Sequence, residues 1–116
     1  MNLPDKVFGL DKRIRYCAVL DEMGRTVSGG MRPGLDSLEP EDEAQKVDLQ
    51  VAVIRGMTEM GRGYLGGTNY VIIHREKLML VAIPINRKTV LISAQPDFPI
   101  ERVKELIQAA RTENPV

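Results

Sequence analysis

The chain has one cysteine and one histidine. A metal site built from those residue types would have at most two such ligands, and a nucleophile-base-acid triad has no obvious third member. Cys17 has no partner for an internal disulfide. It sits in the apolar run Tyr16-Cys17-Ala18-Val19-Leu20, which marks it as a small buried hydrophobe in a reducing, cytoplasmic setting. Net charge is lacking too: 16 basic residues balance 16 acidic ones, leaving no global field to draw in nucleic acid or an anionic membrane. Aromatics are limited to Phe8, Tyr16, Tyr64, Tyr70 and Phe98, too few for a platform that stacks single-stranded nucleic acid. No uncharged stretch approaches the roughly 20 residues of a membrane span, and Met1-Asn2-Leu3-Pro4-Asp5-Lys6 leads into no continuous apolar signal-peptide core. The expectation is a soluble cytoplasmic protein without cofactor or metal, not an enzyme, and with neither nucleic acid nor membrane as partner.

What is present is organised around one helix, expected over residues 40 to about 62. At about 100° per residue, Val47, Val51 and Ile54 form one stripe and Leu49, Val53, Met57, Met60 and Tyr64 another, an apolar arc of roughly 200° interrupted by Gln50. A helix on a single surface needs little more than about 100°. The excess predicts that the helix is covered on a second side, by another copy of the chain. Asp48, Arg55, Glu59 and Arg62 fill the narrow strip left for solvent.

The 116 residues, 43% of them apolar, suit one domain over 1–116, with a short helix or arm within 1–12, a loop at 31–39 and a frayed tail at 112–116. Pro4 suits the first turn of a helix of at most two turns ending by Leu10. Residues 14–20 read as a central strand, because Cys17 and Val19 on one face are as apolar as Ala18 and Leu20 on the other. Asp21-Glu22-Met23-Gly24 reads as a turn and residues 25–28 as the returning strand, ended by Gly29-Gly30. Pro40 and the acidic group Glu39, Glu41, Asp42 and Glu43 fit a helix start, where the dipole favours anions. Gly61, Gly63, Gly66 and Gly67 end that helix. Strands follow over 69–73, 78–84 and 89–94, joined by short polar turns into an antiparallel meander, with Pro84 at a strand end. Asp97 and Pro99 open a last helix that turns Ile100, Val103, Leu106, Ile107 and Ala110 inward and Glu101, Arg102, Lys104, Glu105 and Gln108 outward. The fold class is therefore α+β: a five-stranded antiparallel sheet with the long helix on one face and the terminal helix or helices on the other.

Gly61-Arg62-Gly63-Tyr64-Leu65-Gly66 spells G-x-G-x-x-G, but a dinucleotide fingerprint follows a strand and opens a helix. Here the glycines close a helix, so they read as cap and turn. His74 falls in a hairpin turn, and Asp21 and Glu22 are turn-formers. Lys12, Arg13 and Arg15, like Arg75 with Lys77 and Arg87 with Lys88, read as solvated charges at turns and edges. The informative surface is Met57, Met60 and Tyr64, residue types that serve interfaces, followed by residues 69–73 as an edge strand with free backbone donors and acceptors.

This order, a hairpin over 14–30, a long helix, a three-strand meander and a closing amphipathic helix, resembles the αββαβββα roadblock/dynein-light-chain fold, which is profilin-like in layout. Ile14-Arg15-Tyr16 with Asp21-x-x-Gly24, and Lys77-Leu78-x-Leu80-Val81 with Leu91-Ile92-Ser93, look most like an uncharacterised archaeal branch of that group. The resemblance implies a homodimer that pairs central helices and edge strands into one continuous sheet, with Leu49, Val53, Met57, Met60, Tyr64, Tyr70 and Ile72 as interface residues. It also implies a partner that is a small Ras-like GTPase or another roadblock-like protein. The alternative is a small-ligand sensor of PAS or GAF-like architecture, with a pocket between the sheet and the loop at 31–39.

Overall fold

The computed structural model describes residues 2–36 and 41–113, with the backbone alone for residues 41–49 and 113. Glu39 and Pro40, the side chains of Glu41, Asp42, Glu43, Val47, Asp48 and Leu49, and residues 114–116 lie outside the described part, whereas residues 112 and 113 of the expected frayed tail are helical.

The chain runs α1 (Leu3–Phe8), β1 (Ile14–Leu20), β2 (Thr26–Met31), α2 (Glu41–Thr58), α3 (Arg62–Leu65), β3 (Val71–His74), β4 (Met79–Ile85), β5 (Lys88–Ala94), a 3-10 turn (Ile100–Arg102) and α4 (Val103–Glu113). The five strands form one antiparallel sheet in the order β2-β1-β5-β4-β3, so β2 and β3 are its edges. Strands without polar alternation must be covered on both faces, and β1, β5 and β4 are. Cys17, Val19, Val81, Ile83, Val90 and Ile92 pack with α1 and α4 on one face. Ala18, Leu20, Leu80, Ala82 and Leu91 meet Val51 of α2 on the other.

Local chemistry sets the connections. Asp21 Oδ1 accepts from the Met23 and Arg25 N–H groups at 2.9 and 3.0 Å, and Gly24 takes the left-handed conformation the turn requires. The β4–β5 turn does the same at Asn86, φ 56°, one of the few residue types that tolerate that region.

Several boundaries differ from the sequence expectation. Gly29-Gly30 does not end β2; the strand passes through both to Met31, and the loop starts at Arg32. Gly29, φ 90°, lies so close to β1 that a Cβ there would stand 2.2 Å from the Cys17 carbonyl oxygen, so glycine here permits close strand approach. α2 stops at Thr58, and Gly61 (φ 83°) separates it from the single turn of α3. β3 starts at Val71, two residues later than expected. Pro84 lies inside β4, two residues past Ala82, the last β4 residue paired with β3, so its missing donor leaves no gap in that ladder. Ile100 is exposed, because the last helix opens with a 3-10 turn of about three residues per turn, which shifts the phase, and Ala109 joins the buried face instead.

The basic cluster before β1 is also structural. Arg13 is paired with Asp11 and stacks over Phe98, and Arg15 donates to the Asp36 carbonyl at 3.0 Å. Arg32 closes the same region, donating to the carbonyls of Phe8, Asp11 and Ile14 at 2.7 Å each while its guanidinium lies 5.1 Å from the Phe8 ring centre.

Candidate interaction surface

Two stripes of α2 meet different surroundings. Val51 is 2% exposed against the sheet, whereas Val53 and Met57, further round the helix, are 54% and 64% exposed. Beyond the end of α2, Met60, Tyr64, at 95%, and Leu65 are exposed as well. The sequence spacing 53, 57, 60, 64 is helical, but α2 ends at Thr58 and left-handed Gly61 redirects the backbone, so only Val53 and Met57 lie on α2 itself. Arg55 is a correction to the expected solvent strip: its Nη2 bonds the Asn86 carbonyl in the β4–β5 turn, and its Nε is buried with no hydrogen-bond partner among the described residues.

The segment after α2 has its own supports. Thr68 Oγ1 donates to the Thr58 carbonyl at 3.2 Å, satisfying one of the free carbonyls at the helix end. Arg62 Nη1 bonds Glu59 Oε2 at 2.7 Å across the break and holds the Glu59 carboxyl below its ordinary range. The same guanidinium lies where a Cβ on Gly67 would be, 2.8 Å from Nη1. These contacts carry the chain from the apolar face to the free edge of β3, with Tyr70, 45% exposed, between them.

The expected interface residues thus divide. Val53, Met57, Met60 and Tyr64 are each exposed, Leu49 lies outside the described side chains, and Ile72 is half-buried on the opposite face of the sheet, against the α1/α4 core. Leu65 is exposed as well and falls outside the expected set. Its signal is an apolar side chain inside a glycine-bracketed turn, where no core position is available.

The glycine pattern behaves as a break and a turn. Gly61 and Gly66 both take positive φ, and α2, not a strand, precedes them. His74 ends β3, its Nε2 3.0 Å from the Pro96 carbonyl, and Cys17 is buried on β1, its thiol pushed up to about 12 by desolvation. Among the described residues no three His, Cys, Asp or Glu side chains group to hold a metal ion, and no helix is long and apolar enough to cross a membrane. Two depressions are polar or mixed. One of about 290 Å³ lies between α2 and the two hairpin turns, where Glu59 with Arg62 and Glu22 with Arg87 compensate each other. Another of about 520 Å³ lies between α1 and the β2 edge and is bordered by Phe8, Met31 and Pro33.

No protein-family model matches the sequence, and no curated protein matches it. Solved structures do match the fold. A Roadblock/LC7 domain from Streptomyces avermitilis is 15% identical, with 97% of both chains covered and a TM-score of 0.64. An MglB with tetrameric arrangement is 15% identical over 97% of this chain and 82% of its own, with a TM-score of 0.77. The gliding protein MglB of Thermus thermophilus is 13% identical over 97% and 85%, with a TM-score of 0.73. At these identities the likeness is one of fold: the chain has the roadblock/LC7 architecture.

Proposed function

We propose that the chain is a non-enzymatic, cytoplasmic interaction module of roadblock type that works as a homodimer and regulates a small Ras-like GTPase. One observation carries the dimer: Val53, Met57, Met60, Tyr64 and Leu65 are all exposed in the stretch of chain that precedes β3, a free edge of the sheet. Large apolar side chains left exposed in such number mark an interface, and an open edge strand offers backbone donors and acceptors to another strand. A second copy satisfies both needs through one two-fold axis, which pairs β3 with itself antiparallel and brings the two α2 faces together. With zero net charge, no global repulsion opposes that approach. The GTPase limb and the archaeal affinity rest on the resemblance of Ile14-Arg15-Tyr16, Asp21-x-x-Gly24 and the strand patterns of β4 and β5.

Light scattering over a dilution series tests the dimer: a mass of two chains is expected, and a monodisperse monomer would overturn it. The GTPase limb is tested separately, by titrating the protein against small Ras-like GTPases loaded with GDP or a non-hydrolysable GTP analogue. Binding that depends on the nucleotide supports it, and equal or absent binding removes it while leaving the dimer standing.

A sensory domain of PAS or GAF-like architecture is the second reading, favoured by the depression beside Met31 and Pro33. Its volume falls in the range of small-molecule pockets. Native mass spectrometry of the purified protein decides it through the presence or absence of a retained ligand.

A further inference from the structure

We infer that the β3 edge accepts a second copy of the chain in one register only, with the two-fold axis passing through Ile72, so that Tyr70 of each copy faces His74 of the other. The inference rests on the homodimer proposed above and adds to it which residues meet across the seam.

The hairpin beside the edge decides which backbone groups are free. The Arg75 N–H donates to the Leu78 carbonyl at 2.8 Å and closes the ladder between β3 and β4. Above it Val71 pairs with Ala82, Ile72 with Val81, Ile73 with Leu80 and His74 with Met79. In an antiparallel pair, residues that bond the neighbouring strand alternate with residues that do not. Counting back from Arg75, Ile73 and Val71 bond β4, while His74 and Ile72 turn their N–H and C=O groups outward. Tyr70 stands next in the same alternation. β3 ends the sheet, so no strand of its own chain meets this row.

A two-fold axis restricts how two such rows can meet. An axis between two residues would set an outward residue against one whose groups β4 already holds. It therefore passes through a residue. Through Ile72, the residues Tyr70, Ile72 and His74 all bond, and with two hydrogen bonds per facing pair that makes about six. Through Val71 or Ile73 about four remain. The further pair would need Thr68, whose side chain is tied to the Thr58 carbonyl, or Glu76, which lies in the turn after β3.

The side chains select the same axis. Val71 and Ile73 are half-buried on the α2 face of the sheet and Ile72 on the α4 face. With the axis on Ile72, Val71 faces Ile73 of the other copy, a β-branched pair of the kind that stabilises sheets. An axis on Ile73 would set Val71 against Arg75, and one on Val71 would set Ile73 against Asn69. Each of those places a polar residue in an apolar seam.

The test is backbone amide exchange of the full-length protein, followed by NMR after light scattering has read its mass. In the two-chain form the amides of Tyr70, Ile72 and His74 should all exchange at least about a hundredfold more slowly than in an unstructured peptide. A freely exchanging Tyr70 would move the axis to Ile73, and a freely exchanging His74 would move it to Val71; either overturns the inference. Cross-linking reads the register independently. Val71 and the facing Ile73 form a close pair with Cα atoms about 4.5 Å apart, within disulfide reach, whereas like positions stand about 7–8 Å apart. An equal mixture of V71C and I73C, oxidised with copper phenanthroline, should give a covalent two-chain band. Neither variant should do so alone, and Cys17, being buried, should give none in the wild type. A band from one variant alone, or none from the mixture, overturns the register. A two-chain mass with all three amides exchanging freely overturns the edge pairing and leaves the helix contact standing, whereas a one-chain mass overturns the dimer itself.

Discussion

Asp11 Oδ2 lies 2.5 Å from Nη1 of Arg102, 91 residues further along the chain, and joins the α1–β1 connection to the start of α4. Arg13 clamps the same carboxylate from the other side, Nε to Oδ1 at 2.9 Å and Nη2 to Oδ2 at 2.8 Å. Both guanidinium carbons lie 5.6 Å from the centre of the Phe98 ring. Hydrogen bonds from Arg13 above all, then from Arg102, hold the Asp11 carboxyl far below the ordinary carboxylate range, against the opposing effect of desolvation.

That shift fixes the sign of an acid response. The folded carboxyl gives up its proton more readily than the unfolded one, so its contribution is complete above about pH 4 and is lost as pH falls towards the folded value. Asp11→Asn should lower stability by on the order of 2 kcal/mol at neutral pH and flatten the acid limb of stability against pH. Urea unfolding at pH 7 and at pH 3 checks both. An unchanged acid limb would show that other carboxylates control it.

Two glycines predict opposite outcomes. At Gly29 a Cβ would stand 2.2 Å from the Cys17 carbonyl oxygen and 2.7 Å from the Ala18 Cα, with φ at +90°. Gly29→Ala should therefore cost roughly 3 kcal/mol or more, since strand backbones cannot retreat without losing their ladder. At Gly63 a Cβ meets nothing within 4 Å and φ is not positive. Gly63→Ala should be neutral or stabilising by up to about 1 kcal/mol. Thermal unfolding of the two variants side by side checks the contrast.

Met57→Asp should give a folded monomer. It sets a charge at the centre of the proposed helix-to-helix contact, where an unpaired buried charge costs about 3–5 kcal/mol, or more than about a hundredfold in dimer affinity. Because Met57 is 64% exposed in one chain, circular dichroism and melting of the monomer should change little. Light scattering at matched concentrations reads the result, and an unaltered two-chain mass would remove Met57 from the contact.

Cys17 should resist alkylation until the sheet opens. With its thiol pushed up to about 12, about one molecule in ten thousand carries the thiolate at pH 8. Iodoacetamide labelling should be slow in buffer and fast in denaturant. Labelling of the native protein at the rate of a free cysteine would contradict the burial of β1.

Apolar period and turn chemistry made most of the fold legible. The runs Cys17 to Leu20, Leu80 to Ile83 and Val90 to Ile92 announced a sheet covered twice, and Asp21 with Gly24 announced the first hairpin. The apolar excess of α2 is matched by the exposure of Val53 and Met57. What stayed hidden depends on contacts remote in sequence. The letters of Gly29-Gly30 are the same whether they stop a strand or let it approach Cys17. Arg13 reads as a solvated charge until Asp11, Phe98 and Arg102 surround it, and Arg55 until Asn86 arrives beneath it. Ile72 shows the limit of period alone: alternation assigns it a face, but only the packing of α4 says which helix shares that face.

A sheet with two open edges has a pairing valence of two, and a chain with that valence polymerises. In the proposed dimer β3 uses one edge, leaving Thr26–Met31 of β2, which carries neither a charge nor a proline to discourage a further strand. Irregular backbone takes over that duty. The register slips between Val19 and Leu20, and the left-handed Gly29 disturbs the pleat. The second edge is thereby left without a regular face for another strand to extend.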